Sequence, residues 1–197
     1  RSLLLAGLSI SVAQAGTPSV RAMEAFAIDF DGTPRNVNSL QSSGEWHYGA
    51  TTPRNGGVTD FRAWNASESA RGGDMHVLMV LVRPGHCSRP VVGDTRIYAQ
   101  TTPGAEQPRS FVNTYVMLDE RAMNWVRQHQ ADARGEYALL SAIQPEHFQA
   151  TFIADLEEGR KLTYFGSHRD AEAVWDLRGM SGALNGITRL CEAAARR

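Results

Sequence analysis

Apolar positions along the chain follow two rhythms, and the first is short and strand-like. Residues 25–30 (AFAIDF) read as a strand stopped by Asp31-Gly32. Residues 32–56 are rich in Gly, Ser, Asn, Pro and Thr and read as loop, with a short strand around Trp46-His47-Tyr48. From 58 to 64 the pattern alternates, with Val58, Asp60, Arg62 and Trp64 on one face and Phe61 on the other. Residues 75–82 (MHVLMVLV) form the strongest apolar run. It is rich in β-branched residues and stopped by Pro84-Gly85, which predicts a buried central strand. Strands at 95–100 and 111–118 follow, separated by a Thr-Thr-Pro-Gly turn.

A helical rhythm enters later. Asp119 can cap a helix through Trp125 to about residue 130, with Ala122, Met123 and Val126 at helical spacing. A second helix begins near Glu146 and repeats Phe148, Phe152, Ile153 and Leu156 at four- and three-residue steps. Gly159 stands where a left-handed C-terminal residue belongs. Residues 161–165 and 173–177 read as two strands joined by a polar turn. The last helix, 181–195, carries Leu184, Ile187, Thr188 and Cys191 in one stripe, with Ser181 as its N-cap. The prediction is an α+β fold, a mainly antiparallel β-sandwich-like body with three short helices in the C-terminal half. No repeat is present, which excludes solenoids and propellers.

The first residues change the picture. Residues 3–12 are an apolar run ending in Ala13-Gln14-Ala15, a small-x-small site for a signal peptidase. The run is well short of the roughly 20 residues of a membrane span. Residues 1–15 therefore read as the back half of a secretory signal peptide, and residues 16–197 as a single exported globular domain with no transmembrane segment. The alternative is an N-terminal amphipathic helix of the mature protein. Export implies periplasm or secretion, in oxidising surroundings without ATP. Apolar content of 42% fits a folded globule. Arg1 is the sole charge in 1–15, so 19 basic groups face 21 acidic ones in the remainder. That balance argues against nucleic acid and against a polybasic membrane tether.

Cys87 and Cys191 are the two cysteines. In an exported protein such a pair most simply forms one disulfide. The rival is a reactive thiol at Cys87, which His86 precedes.

The last third has a recognisable order. A strand carrying Val116 and Leu118 leads into Asp119-Glu120. A helix ending Ala154-Asp155-Leu156-Glu157-Glu158-Gly159-Arg160-Lys161-Leu162 precedes a strand, a turn and a strand. Then comes Trp175-Asp176-Leu177-Arg178-Gly179-Met180-Ser181-Gly182-Ala183-Leu184, and a terminal helix with Cys191. This resembles the C-terminal half of the invasion-associated locus B proteins and related small periplasmic proteins of proteobacteria, over residues 111–195. The resemblance implies a β-sandwich with appended helices and a non-enzymatic, envelope-associated role, possible virulence association included. The cysteine pattern is sparser than that family's.

Several residues are candidates for chemistry. Asp29-Phe30-Asp31-Gly32-Thr33 resembles motif one of the haloacid dehalogenase-like phosphatases, which implies a nucleophile at Asp29 and an acid and magnesium ligand at Asp31. Lys161, the sole lysine, falls in the right order to neutralise a phosphoryl intermediate. Ser167 stands where a later metal-binding aspartate is needed, and Asp170 does not restore the spacing. Gly179-Met180-Ser181-Gly182-Ala183 is placed like a nucleophile elbow, but no histidine follows it, and His86 is the remaining partner. The histidines at 47, 76, 86, 129, 147 and 168 show no metal-ligand spacing, and no cofactor is expected. Trp46, Tyr48 and Trp64 are candidates for an aromatic binding surface. Asn65-Ala66-Ser67 fits a glycosylation acceptor by rule and reads as a turn. The leading expectation is an exported binding protein with an unidentified protein or envelope partner. A periplasmic phosphatase using Asp29 and Asp31, or an inhibitor or immunity protein, are the alternatives.

Overall fold

The computed structural model describes residues 34–68, 75–99, 112–134, 137–143, 146–165, 171 and 173–196. The leader expected at 1–15 and the strand expected at 25–30 lie outside them. Among the described residues the order is β1 (Arg35–Val37), β2 (Gln41–Ser43), β3 (Trp46–Pro53), β4 (Asp60–Glu68), β5 (Met75–Val82), β6 (Val91–Ala99), β7 (Val112–Leu118), β8 (Arg121–Arg134), β9 (Tyr137–Ile143), α1 (Glu146–Glu158), β10 (Lys161–Tyr164), β11 (Ala173–Asp176) and α2 (Met180–Ala195).

The strands form two sheets. One runs β1-β3-β4-β5-β6-β9, with β2 on the same edge of β3 as β1. The other holds β7, β10 and β11. Strand β8 serves both, because its first half pairs with β7 and residues 128–134 pair with β9. Every pairing among these strands is antiparallel.

The long β8 replaces the helix expected at 119–130. Asp119 adopts φ 53° and turns the chain straight back along β7. Its carboxylate accepts the backbone N–H of Arg160 and of Lys161, so it caps the start of β10 instead of a helix. Ala122, Met123 and Val126 satisfy a helical period over too few residues to outweigh a ladder with the adjacent strand. Two helices are therefore present among the described residues, not three.

β5 is central, between β4 and β6, and all eight of its residues are buried. A strand covered on both faces needs no polar alternation. The main core lies between the sheets, where Trp46, Phe61, Leu78 and Val80 meet Val116, Leu162 and Trp175. Helix α1 adds Phe152, Ile153 and Leu156, and α2 adds Met180, Ala183, Ile187 and Cys191. Val58, expected within β4, precedes it and is exposed.

The outer edge of β11 does not pair with another strand's backbone among the described residues; side chains of the facing sheet close it. Asn65 Nδ2 donates to Asp176 O at 2.6 Å, Trp46 Nε1 donates to the same oxygen at 3.1 Å, and Val174 N donates to Ser67 Oγ at 3.0 Å. Trp175 Nε1 adds a bond to His76 O at 3.2 Å. Asn65 is therefore a buried strand residue, not a turn, and its amide is occupied. Replacing Asn65 with alanine should lower stability by about 0.5–1.5 kcal/mol, since Asp176 O loses one of its two donors and keeps Trp46 Nε1. Urea unfolding of Asn65→Ala beside the wild type measures it; an unchanged midpoint would discount the seam.

Close approach explains the glycines of the last helix. A Cβ on Gly179 (φ 95°) would lie 2.0 Å from Ser43 O, and one on Gly186 would lie 2.3 Å from the Tyr48 ring. The helix therefore starts against the β2–β3 hairpin and runs across β3, rather than packing on the strand it has just left. Gly179 is the N-cap residue, with no side-chain cap, so Ser181 lies inside the helix and is exposed. Gly159 is not left-handed, in contrast to expectation. It is needed for space, because a Cβ there would meet Leu118 Cδ1 at 2.3 Å.

Candidate functional site

The aromatic surface expected from Trp46, Tyr48 and Trp64 does not form. Trp46 and Trp64 are fully buried and Tyr48 nearly so. Trp46 and Tyr48 belong to the core, and Tyr48 anchors Gly186 of α2 while its hydroxyl donates to Gln41. Large rings on a central sheet gain most by leaving water, which is why they are interior here.

Asp29 and Asp31 lie outside the described residues, as does His168. Lys161 begins β10 and is exposed. The described strands supply no parallel strand–helix–strand unit of the kind the phosphatase resemblance implies. Cys87 is bonded to Cys191, with Cα atoms 5.7 Å apart, so it is not a free thiol beside His86. The bond ties the β5–β6 loop to the last turns of α2. Ser181 lies ten residues earlier on that helix, roughly 15 Å away along its axis, and cannot work with His86.

Three polar arrangements among the described residues bear on function. The first is in the β2–β3 hairpin, where Ser42 Oγ and His47 Nδ1 are 2.9 Å apart and the imidazole leans on Trp64 at 5.3 Å. Burial lowers the His47 pKa below its usual value, and Glu45 opposes this in part. A histidine held neutral by its surroundings binds protons more readily once unfolded. Its contribution is intact above the unfolded pKa near 6.5 and is lost as the pH falls below that. Stability should therefore decline between about pH 7 and pH 5.5, and His47→Gln should flatten that slope. A melting series over this range checks it; identical slopes would remove His47 as the cause.

The second is a charge cluster inside the protein. Asp60 is 1% exposed and Arg62 fully buried, with Arg35 at 4%. Asp60 Oδ1 accepts from Arg62 Nε at 3.0 Å and Thr51 Oγ1 at 2.6 Å, and lies 3.0 Å from Arg35 Nη2. Asp60 Oδ2 accepts from Arg62 Nη2 at 3.2 Å, and Arg83 approaches it at 3.9 Å from an exposed position. Arg35 also donates to the backbone oxygens of Thr51 and Val58. Alternation places Asp60, Arg62 and Trp64 on one face of the strand but does not say what covers that face. Only the neighbouring strands reveal that both faces of β4 are covered.

The third is open to solvent. A groove of about 480 Å³ lies between the β7–β8 turn and the end of α1, lined by Leu118, Asp119, Glu120, Arg121, Asp155 and Glu158. Arg121 pairs with Asp155 at 2.5 Å, and this hydrogen bond with the nearby carboxylates raises the guanidinium pKa. Asp119 is engaged by the β10 backbone, which leaves Glu120 and Glu158 as exposed acids beside the negative end of α1. Such a groove can hold a cationic group but has no nucleophile paired with a base. No group of three or more metal-ligating side chains converges among the described residues. As sequence, Asp119 reads as a helix cap and Asp155 as part of a helix end, and their separation along the chain conceals that they meet.

No described helix is long and apolar enough to cross a membrane. No family model matches the chain, and no curated protein matches it. Among solved structures, the crystal structure of invasion associated protein B from Bartonella henselae aligns over 79% of this chain and 99% of that one, at 13% sequence identity and a TM-score of 0.48.

Proposed function

We propose that this chain is an exported, disulfide-bonded β-sandwich protein that acts in the periplasm or outside the cell by binding, not by catalysis. The observation that carries the reading is the Cys87–Cys191 bond, which joins positions 104 residues apart and leaves no free cysteine. Bonds of that kind persist in oxidising compartments. The signal-like segment at 1–15 and the resemblance of residues 111–195 to the invasion-associated locus B proteins support the same reading. The partner is a protein or an envelope component, and an inhibitor or immunity protein belongs to the same class.

Expression of the chain with residues 1–15 in place, followed by fractionation and alkylation without reductant, tests export. The expected result is a shortened protein in the periplasm or medium whose thiols resist alkylation. A full-length cytosolic product with two reactive thiols overturns the proposal. Catalysis is tested with p-nitrophenyl phosphate and magnesium: turnover that Asp29→Asn abolishes would establish the phosphatase instead.

A further inference from the structure

We infer that the end of the sandwich carrying the Cys87–Cys191 bond is a docking face for an anionic lipid bilayer. The inference deepens the envelope-binding reading proposed above and rests on it. Three segments meet at this end. Pairing of Phe61 with Val82 and of Thr51 with Asp60 sets the β3–β4 loop beside the end of β5. The β5–β6 loop, residues 83–90, continues from there, and the disulfide holds it against the end of α2.

The charge these segments present is lopsided. Arg54 on the first loop, Arg83 and Arg89 on the second, and Arg189 and Arg196 on the helix are all exposed. His86 is exposed between Arg83 and Arg89. Glu192 is the sole exposed carboxylate in residues 54–59, 83–90 and 187–196, and it pairs with Arg196 at 3.6 Å. Arg189 Nε donates to Asn185 O, and Arg83 sits 3.9 Å from the buried Asp60. Among the described residues, a chain with a net charge of −1 thus collects a cationic surplus at one end, while Asp119, Glu120, Asp155 and Glu158 line a groove elsewhere. Near-balance of the total conceals this polarity, and fields act locally.

The shape and chemistry of the end favour a lipid surface over other anions. The β5–β6 loop is open at its tip, where a Cβ on Gly85 would meet nothing within 4 Å. A protein interface is usually anchored by aromatic or apolar side chains in a desolvated centre. Among the described residues the exposed large hydrophobics are Leu40, Val58, Tyr115 and Val174; only Val58, on the β3–β4 loop, is at this end, and no exposed aromatic accompanies it. Spread arginines around a single small apolar side chain suit a flat, diffuse array of phosphates, held reversibly and weakened by salt.

Sedimentation of the whole mature protein with extruded vesicles tests this. Vesicles of phosphatidylcholine with about 30% phosphatidylglycerol should bind it at low ionic strength, pure phosphatidylcholine should not, and about 0.5 M salt should release it. The doubly reversed Arg89→Glu/Arg189→Glu should lose roughly tenfold or more of its partitioning, whereas Arg160→Glu, an exposed reversal beside the acidic groove, should retain it. Equal binding to both vesicle types, or undiminished binding by a folded double variant, overturns the proposal. If the double variant fails to fold, the lipid and salt comparison on the wild type decides. Failure here leaves export and partner binding standing, because those are read from fractionation.

Discussion

Asp60→Asn should destabilise the protein by about 3–5 kcal/mol, among the largest losses expected from any single polar substitution in it. Asp60 is the carboxylate that Arg35 and Arg62 share, and all three are at most 4% exposed. Asparagine keeps the shape but removes the charge, so two guanidinium groups stay in a medium of low polarity without it. The size of the loss measures the stranded cations rather than the worth of the pair. A second variant separates the two: Asp60→Asn combined with Arg62→Met removes a cation together with its acid. If the cluster acts as described, the double variant is more stable than the sum of the two single changes allows. Strict additivity in urea unfolding would show that the charges do not interact.

Loss of the disulfide is the other large effect. Opening a loop that spans 104 residues should cost about 4 kcal/mol in the chain-entropy model, although strain and residual structure often lower the figure. The native geometry favours a value near the upper end, because Cys191 is fully buried in the core beside Ile187 and the α2 face is already packed. Cys87→Ser, Cys191→Ser and the reduced wild type should all show a similar fall in the urea midpoint, since each opens the same loop. Cys191→Ser should fall somewhat further, as it also buries a hydroxyl in an apolar site. A wild type whose midpoint ignores reductant would show the bond to be incidental to the fold. The last helix should remain docked through Met180, Ala183 and Ile187, so the reduced protein should keep most of its far-UV signal.

Much of the architecture was legible in the chain because it depends on local periodicity. The run at 75–82 is continuous and β-branched, and it is the buried centre of its sheet. The four-and-three spacing of Phe152, Ile153 and Leu156 marks one face of α1, and that of Leu184, Ile187 and Cys191 marks α2. Strands β10 and β11 were also legible, from short apolar runs. The failures came where local signals were ambiguous. Residues 119–130 satisfy a helical and an extended period about equally, and pairing with β7 decided between them. Gly159 and Ser181 have the residue types of a C-terminal glycine and an N-cap; their surroundings, not their conformational preferences, set their roles.

The candidate site was less legible than the fold. Trp46, Tyr48 and Trp64 resembled a surface because they occur in loop-rich sequence, yet pairing buries all three. Asp119 and Asp155 line one groove only because β7, β8 and α1 converge there. Arginines at 54, 89 and 189 are unremarkable one at a time, and the strand register and the disulfide gather them at one end.

What the sequence alone determined is therefore the material of the fold: which segments are apolar enough to be interior, where turns interrupt them, and that the two cysteines are a candidate pair. These follow from hydrophobic period and residue type, which act over a few neighbours. What tertiary structure decided is which faces are covered and which charges meet: the burial of Asp60 with two arginines, the side-chain seam that closes β11, and the conversion of 121–134 into a strand shared by two sheets. Those depend on partners far away in the chain, and no local pattern carries their positions.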